Sequence, residues 1–137
     1  MGIVEMTINS LRPNSLSNEW ALILKEKGAE RYLPIYISPR QANIVKKLLL
    51  GVGRIDPAEF DLSFAGIDTI FCKVEAAVIN RFVENVFYAK LLLAQNDGKA
   101  VEVNCVPAKA VAHGIRTEAP IFTDETVLDK AGIAIGA

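Results

Sequence analysis

The sequence predicts an α+β fold: a mixed, largely antiparallel sheet flanked by helices, with residues 1–137 forming a single compact domain. Runs rich in β-branched and aromatic residues recur along the chain, and the segment Asn96-Asp97-Gly98 between two of them is a strong hairpin signal. Helix-start signals with proline at the first helical position stand at Pro39 and Pro107. Hydrophobic residues are 51% of the chain and charged residues 23%, so the composition excludes a disordered chain.

The first half of the chain predicts three strands followed by two helices. Apolar runs predict strands at 2–10, 20–25 and 32–37. The segment 38–41, Ser-Pro-Arg-Gln, has the residue types of a capping box and predicts a helix that ends near Gly51. The residues predicted to form its buried face are Ala42, Val45, Leu48, Leu49 and Val52. A second, short helix is predicted to begin with Asp56 as its N-cap.

The second half of the chain predicts three long strands, at 69–79, 84–94 and 99–105. The first two would be joined by a turn near Arg81. Leu91, Leu92 and Leu93 give the middle strand apolar residues on both of its faces. This pattern predicts a central strand that is covered on both sides, by helices or by another subunit.

A helix from 107 to 116 is predicted to pack closely on the sheet through small residues. Its buried residues would be Pro107, Ala110, Val111 and Gly114. The opposite face would carry three basic or titratable residues at i, i+4 and i+7, namely Lys109, His113 and Arg116. After this helix, residues 121–123 predict a short edge strand, and the segment 123–125 opens a last helix that ends at Gly132.

The charge balance argues against a general nucleic-acid binder, because 15 basic and 16 acidic residues give a net charge of -1. Any surface for DNA or RNA would therefore be a local basic patch. Two patches are candidates: one formed by Lys109, His113 and Arg116, and the other by Arg40, Lys46 and Lys47. No run of residues is long and apolar enough for a membrane span, and the first residues do not form a secretory signal. Cys72 and Cys105 are predicted to be buried, unpaired thiols, so a cytoplasmic protein is expected.

Three separated segments resemble one known family. The segment 86–121 matches the family at ten scaffold positions without a gap: Phe87, Tyr88, Ala89, Pro107, Ala110, Ala112, Arg116, Ala119, Pro120 and Ile121. Segments 33–49 and 54–62 agree in order and spacing, with Arg54, Asp61 and Leu62 retained in the second. The chain is thus similar to the bifunctional nuclease (DNase and RNase) domain family. It departs from the family at four polar positions, where Asp, Arg, Ser and Asp are replaced by Asn104, Val106, Ala108 and Lys109.

The resemblance implies hydrolysis of DNA or RNA phosphodiesters with Mg2+ or Mn2+. It implies Asp61 as a catalytic carboxylate and metal ligand, with the carbonyl oxygen of Asn104 as a second ligand. Arg54, which is retained, would bind substrate phosphates, and the helix pattern itself adds Lys109 and Arg116 as phosphate-binding cations. From the residues themselves, His113 between two cations on one helix face would have a lowered pKa and could serve as the catalytic base.

Plainer interpretations stand beside these roles. Asp61 could be a solvated residue of a short helix, and His113 a half-exposed side chain near a helix C-terminus. The alternative function is a non-catalytic, homo-oligomeric binding module that keeps the fold, and the four replaced polar positions predict weak or absent turnover. A mean hydropathy of +0.27 also predicts a homodimer, because the predicted helices would leave apolar surface uncovered.

Overall fold

An eight-stranded sheet organises residues 2–51 and 72–134, which are the residues that this computed structural model describes. The strands are β1 (Ile3–Pro13), β2 (Trp20–Glu26), β3 (Arg31–Ile37), β4 (Cys72–Val83), β5 (Val86–Gln95), β6 (Ala100–Cys105), β7 (Ile121–Asp124) and β8 (Ile133–Ala134). The helices are α1 (Pro39–Leu50), α2 (Pro107–Thr117) and α3 (Glu125–Ala131). The strand order is β6-β5-β4-β7-β1-β2-β3-β8, and only the β4–β7 pair is parallel. The predicted α+β class with a mixed, largely antiparallel sheet is confirmed.

One face of the sheet, here called the inner face, forms the core. Side chains alternate along each strand, so residues in register across neighbouring strands share a face. The largest fully buried inner side chains of the strands are Leu22, Leu24, Leu33, Ile35, Ile79, Leu91 and Leu93. Helix α2 packs on this face against β4 and β5, and α1 packs against α2. The opposite face is called the outer face.

Local signals at the helix ends match the predictions. Ser38 Oγ accepts a hydrogen bond from the Gln41 N–H at 3.1 Å, and the Gln41 side chain accepts one from the Ser38 N–H at 3.0 Å. This capping box starts α1, and Gly51 ends it with a φ of 66°, a conformation that glycine adopts without strain. The predicted apolar face is buried only in its first turns, because Leu49 is 43% exposed. Val52 and the predicted helix that begins at Asp56 lie outside the described residues.

Two predictions about the second half were wrong. The turn between β4 and β5 is at Glu84-Asn85, both with positive φ, and not near Arg81. Strand β4 continues past Arg81, which pairs with Tyr88 after a register shift. The shift marks a β-bulge, which interrupts the alternation of side chains, so the sequence pattern predicted an end of the strand that was too early. Residues 121–124 form β7 between β4 and β1 and are therefore not an edge strand. After β6 the chain crosses over through α2 and enters β7, which runs parallel to β4. At the start of this pairing the Ala77 N–H donates to the Pro120 carbonyl at 3.0 Å.

The prediction that the strand of Leu91, Leu92 and Leu93 is central and covered on both sides was only partly correct. Leu91 and Leu93 are buried on the inner face, as expected for a core strand. Leu92 lies on the outer face and is half-buried, and β5 is next to the edge strand β6 rather than central. Leu92 is in register with Glu102, whose carboxylate pairs with Lys90 Nζ at 3.1 Å. The Lys90–Glu102 ion pair thus borders Leu92 on the outer face.

The prediction of buried, unpaired thiols can be compared with the structure at Cys105. Cys105 is a free thiol and is half-buried. Burial raises its pKa to about 11, against an opposing effect of the nearby Lys109, so the thiol stays protonated at neutral pH. The side chain of Cys72 is outside the described part of the chain. Within residues 2–51 and 72–134, no helix has the length and apolar character that crossing a membrane requires.

Arg31 fastens α3 to the sheet. Its Nε donates to Glu26 Oε1 at 2.8 Å, and its terminal nitrogens contact Glu125 Oε1 at 2.9 Å and Asp129 Oδ1 at 3.5 Å. The hydrogen bonds to Glu125 and Glu26 raise the pKa of Arg31, which shows that the charged form is favoured. Because one guanidinium joins β2, β3 and α3, several charge-assisted bonds depend on it.

We expect Arg31→Met to lower the free energy of unfolding by about 1–3 kcal/mol, since it leaves three carboxylates without their shared cation. Lys27→Met is the matched control, because Lys27 forms an exposed pair with Glu5 at 3.5 Å and should cost less than about 1 kcal/mol. Urea unfolding of both variants measures the difference. Equal losses would show that Arg31 contributes no more than a surface ion pair.

Candidate nucleic-acid interface

The helix pattern had predicted that His113 lies on an outward face of α2. The structure contradicts this prediction. It buries His113 completely, together with most of its helix: Ala108, Ala110, Val111, Ala112 and Gly114. The physical reason is that α2 contacts α1 as well as β4 and β5, so the side away from the sheet is also covered. Both alternatives for this residue, an accessible base and a half-exposed side chain, were therefore wrong about its exposure.

The environment of His113 keeps its imidazole neutral. Burial, together with the nearby cations Arg116 and Lys109, lowers the pKa of His113 to about 4. Lys109 itself is half-buried and Arg116 is exposed. The three residues predicted to share a face are thus close in space, but only Arg116 is fully at the surface.

Asn104, the predicted metal ligand, is separated from this group by the sheet. It is exposed on the outer face of β6, in register with Lys90 of β5, whereas α2 packs on the inner face. The Lys90 ammonium pairs with the Glu102 carboxylate at 3.1 Å. Within the described ranges, no group of three or more His, Cys, Asp or Glu side chains could hold a metal ion. Asp61 and Arg54 lie outside these ranges, so the Mg2+ or Mn2+ site that the resemblance implied stays a prediction.

The outer face has a different set of functional groups, which the sequence interpretation missed. The chain has three tyrosines, and all three are on this face. Tyr32 and Tyr36 stand on β3, and Tyr88 stands on β5. Tyr36 is 53% exposed and Tyr88 46% exposed, while Tyr32 is half-buried. The alternation of residues 32–37, Tyr-Leu-Pro-Ile-Tyr-Ile, was the signal that could have identified the two tyrosines of β3.

Two of the three tyrosines lie opposite a cation on the neighbouring strand. Tyr32 is opposite Lys25. Arg81 is opposite Tyr88, and its guanidinium carbon is 5.5 Å from the ring centroid. Tyr36 is in one row with Ala21 and Arg12.

The charge on this face is mixed. Lys73 and Lys90 are further cations in register on the face, and Glu5 and Glu102 are acids there. Lys90 is neutralised by Glu102, and Lys25 lies 3.9 Å from Glu30. Arg12 and Arg81 form no ion pair with another described residue, and both are exposed. These two arginines, with the exposed Lys73, therefore provide the positive charge that an anionic ligand would meet.

A groove of about 320 Å³ opens on the outer face beside a bulge in β1. The bulge between Ile8 and Ser10 shifts the register and places polar residues next to apolar ones. The walls include Tyr32, Pro34 and Arg12, with Asn9 and Ser10 at the bulge. This combination offers a flat aromatic surface, amide and hydroxyl hydrogen-bonding groups and one cation. It could hold a planar base with its phosphate near Arg12.

The second predicted basic patch lies on α1. Arg40 and Lys46 are exposed and Lys47 is half-buried. The Lys46 ammonium is 6.0 Å from the centroid of the Trp20 ring, at the outer limit of a cation–π contact. This patch stays a prediction for nucleic-acid contact, and it lies on the helical side of the molecule.

Comparison with known proteins gives two findings. The family profile of the bifunctional nuclease domain matches residues 22–136. Two uncharacterized proteins of Mycobacterium tuberculosis, one from strain CDC 1551 / Oshkosh and one from strain ATCC 25618 / H37Rv, are each 30% identical to the chain over 131 residues. Each alignment covers 96% of this chain and 77% of the relative.

Proposed function

Because the chain belongs to the bifunctional nuclease domain family, we propose that it acts on nucleic acid, binding a single strand of DNA or RNA on its outer face without hydrolysing it. The observation that supports this proposal is the placing of tyrosines beside cations on the outer face. Tyr32 lies opposite Lys25 and Tyr88 opposite Arg81, and the row of Tyr36 and Ala21 continues to Arg12. A base can stack on a phenol ring while a neighbouring cation meets its phosphate. Such a surface needs no overall basic charge, which agrees with the net charge of -1.

A single strand fits this surface better than a duplex. The bases of a duplex are stacked on one another and present only their edges, so exposed aromatic rings on a sheet have nothing to stack against. Unpaired bases offer their faces, and stacking on an aromatic side chain contributes about 1–3 kcal/mol per base. The groove beside the β1 bulge would take one such base, between Tyr32 and Pro34.

The absence of hydrolysis is proposed from the chemistry of the described residues. Phosphodiester cleavage needs a metal-held or base-activated nucleophile close to cationic groups. Here the imidazole of His113 is fully buried, and Asn104 lies beside Lys90 on the other side of the sheet. Asp61 remains the one retained carboxylate of the family motif, so it is the residue on which residual nuclease activity would depend.

Incubation with labelled single-stranded and double-stranded DNA and RNA tests this part of the proposal. We expect all four substrates to remain intact with Mg2+, with Mn2+ and with EDTA, because the described donors do not converge on one site. Asp61→Ala is the matched variant that separates the protein's own activity from a contaminant. Cleavage that requires the metal and disappears in Asp61→Ala would establish the nuclease and overturn the non-hydrolytic proposal.

Substitutions on the outer face test binding. We expect Tyr32→Ala to weaken binding of a fluorescent oligonucleotide of about 12 nucleotides by roughly 5- to 150-fold, through loss of one stacked base. Arg12→Ala should weaken binding and also flatten its dependence on salt concentration, since one phosphate contact is removed. Lys46→Glu on α1 is the control and should change affinity little. If Lys46→Glu weakens binding more than Tyr32→Ala does, the helical side is the interface instead.

A further inference from the structure

Strand β6 forms an open edge of the sheet in the part of the chain that the structure describes. It pairs with β5 on one side, and α2 packs over β4 and β5. The opposite edge of the sheet is β8, which has only two residues. Natural proteins protect sheet edges with very short strands, with proline or with lysine. Residues 100–105, Ala-Val-Glu-Val-Asn-Cys, contain no proline, lysine or arginine, so this edge of six residues is suited to pair with another strand.

The backbone groups at the open edge belong to alternate residues of β6. In the hairpin before β6, the Gln95 N–H donates to the Lys99 carbonyl at 2.8 Å, so the backbone groups of Lys99 point towards β5. The backbone groups of successive residues in a strand point to opposite edges. Counting from Lys99, the residues whose N–H and C=O groups point to the open edge are Ala100, Glu102 and Asn104.

The side chains on this edge are self-complementary in one register. Glu102 is the only charged residue of β6, and its side chain is 62% exposed on the outer face beside Asn104. In an antiparallel pair of two β6 strands centred on Glu102, two carboxylates would face each other, which is destabilising. Centred on Val103, each Glu102 lies opposite Asn104 of the other copy, where the amide can donate to the carboxylate. Registers centred on residue 101 or 104 place Glu102 opposite Ala100 or Val106, which have no polar side chain.

We propose that β6 pairs antiparallel with β6 of a second copy about a two-fold axis at Val103, so that the protein is a dimer with one continuous sheet. In this register, backbone hydrogen bonds join Glu102 of each copy to Asn104 of the other. The contact closes after two copies and covers the open edge of both.

The proposed dimer is independent of the proposed binding of nucleic acid. It uses neither the Tyr32 nor the Arg12 side chain, and its mass is measured without any oligonucleotide. Residues that lie opposite each other in a strand pair share a face of the sheet. The outer faces of the two copies would therefore lie on the same side of the joined sheet, with both tyrosine-bearing surfaces accessible.

Sedimentation equilibrium of the full chain and of charge variants tests the dimer. We expect wild-type protein at micromolar concentration to have twice the mass of the 14.9 kDa chain. Asn104→Glu should weaken association on the order of tenfold, because it places a carboxylate opposite Glu102 at two places in the dimer. Asn104→Lys should strengthen association, because it places opposite charges there. Asn18→Glu, the same chemical change at an exposed position of the β1–β2 loop, is the matched control and should associate like the wild type.

The two variants at position 104 separate association from effects within one chain. Asn104 lies opposite Lys90 of its own chain, so glutamate is favoured and lysine disfavoured there in the monomer, the reverse of their effects on the dimer. The double variant Glu102→Gln/Asn104→Glu has the net charge of the wild type and again places an amide opposite a carboxylate. It should regain most of the affinity that Asn104→Glu loses.

Hydrogen exchange identifies the edge that is covered. In the wild-type dimer, the amides of Glu102 and Asn104 should be protected, and in Asn104→Glu at a concentration where it is monomeric they should exchange rapidly. The Val103 amide, which points towards β5, should stay protected in both. A wild-type mass that equals the monomer at all concentrations would overturn the proposal. It would also be overturned by rapid exchange of Glu102 and Asn104 in a dimer, or by a dimer affinity that Asn104→Glu and Asn104→Lys leave unchanged or shift in the same direction.

Discussion

Acidification from pH 6.5 to pH 4 is expected to lower the free energy of unfolding by about 3 kcal/mol through His113. In the folded protein, burial and the neighbouring Arg116 and Lys109 hold the pKa of His113 at about 4, below its ordinary value of 6.5. Between these two pH values this residue is therefore protonated to a greater extent in the unfolded chain than in the folded chain. Stability from the neutral imidazole is fully present above pH 6.5 and is lost as the pH falls towards 4. Below pH 4 this residue adds no further loss.

Urea unfolding of the wild type and of His113→Gln at several pH values between 6.5 and 4 measures this effect. Carboxylates also titrate near the lower end of this range, but their contribution is common to both proteins and cancels in the difference. His113 is the only histidine of the chain, so the difference reports on it alone. We expect the wild type to lose stability more steeply than the variant. Parallel pH dependences would mean that His113 is accessible to protons in the folded state.

Replacement of Gly114 by valine is expected to cost about 2–3 kcal/mol of folding free energy relative to alanine. Gly114 lies where α2 meets the sheet, and an added Cβ would be 3.3 Å from Ile121 Cγ1 and 3.5 Å from Ala77 Cβ. Alanine needs a shift of a few tenths of an ångström, and its better helix propensity, worth about 1 kcal/mol, offsets that strain. The two further methyl groups of valine have no such space, because β4 and β7 are central strands.

Chemical denaturation of Gly114→Ala and Gly114→Val tests this close approach. The alanine variant should lie within about 1 kcal/mol of the wild type. The valine variant should be clearly less stable than the alanine variant. If the two substitutions have equal effects, α2 is not packed as closely on Ile121 and Ala77 as the structure shows.

The parts of the fold that the sequence predicted correctly have local causes. The capping box of Ser38 and Gln41, the Asp97-Gly98 hairpin and the start of α3 after the segment 123–125 each depend on residues close in sequence to the backbone groups that they bind. The wrong predictions have non-local causes. The Glu84-Asn85 turn lacks the glycine that usually marks positive φ, and the central place of β7 depends on its pairing with β4 and β1.

The candidate site was predicted less well, because its residues are brought together by the sheet. The helical pattern of Lys109, His113 and Arg116 gave their relative positions but not the contact of α2 with α1 that buries His113. Asn104 and Lys109 are five residues apart, yet the pleat of β6 directs the first to the outer face while α2 packs on the inner one. The rows that combine tyrosines and cations join strands distant in sequence, such as Arg12 of β1 and Tyr36 of β3.

The most direct test of nucleic-acid binding on the outer face is an NMR titration of isotope-labelled protein with a single-stranded oligonucleotide of about 12 nucleotides. We predict that amide shifts concentrate in β1, β2 and β3 around Arg12 and Tyr32, with a second group in β4 and β5 around Arg81 and Tyr88. The amides of α1 and α2 should change little. Shifts confined to α1 and α2, or a spectrum unchanged at high oligonucleotide concentration, would contradict the account.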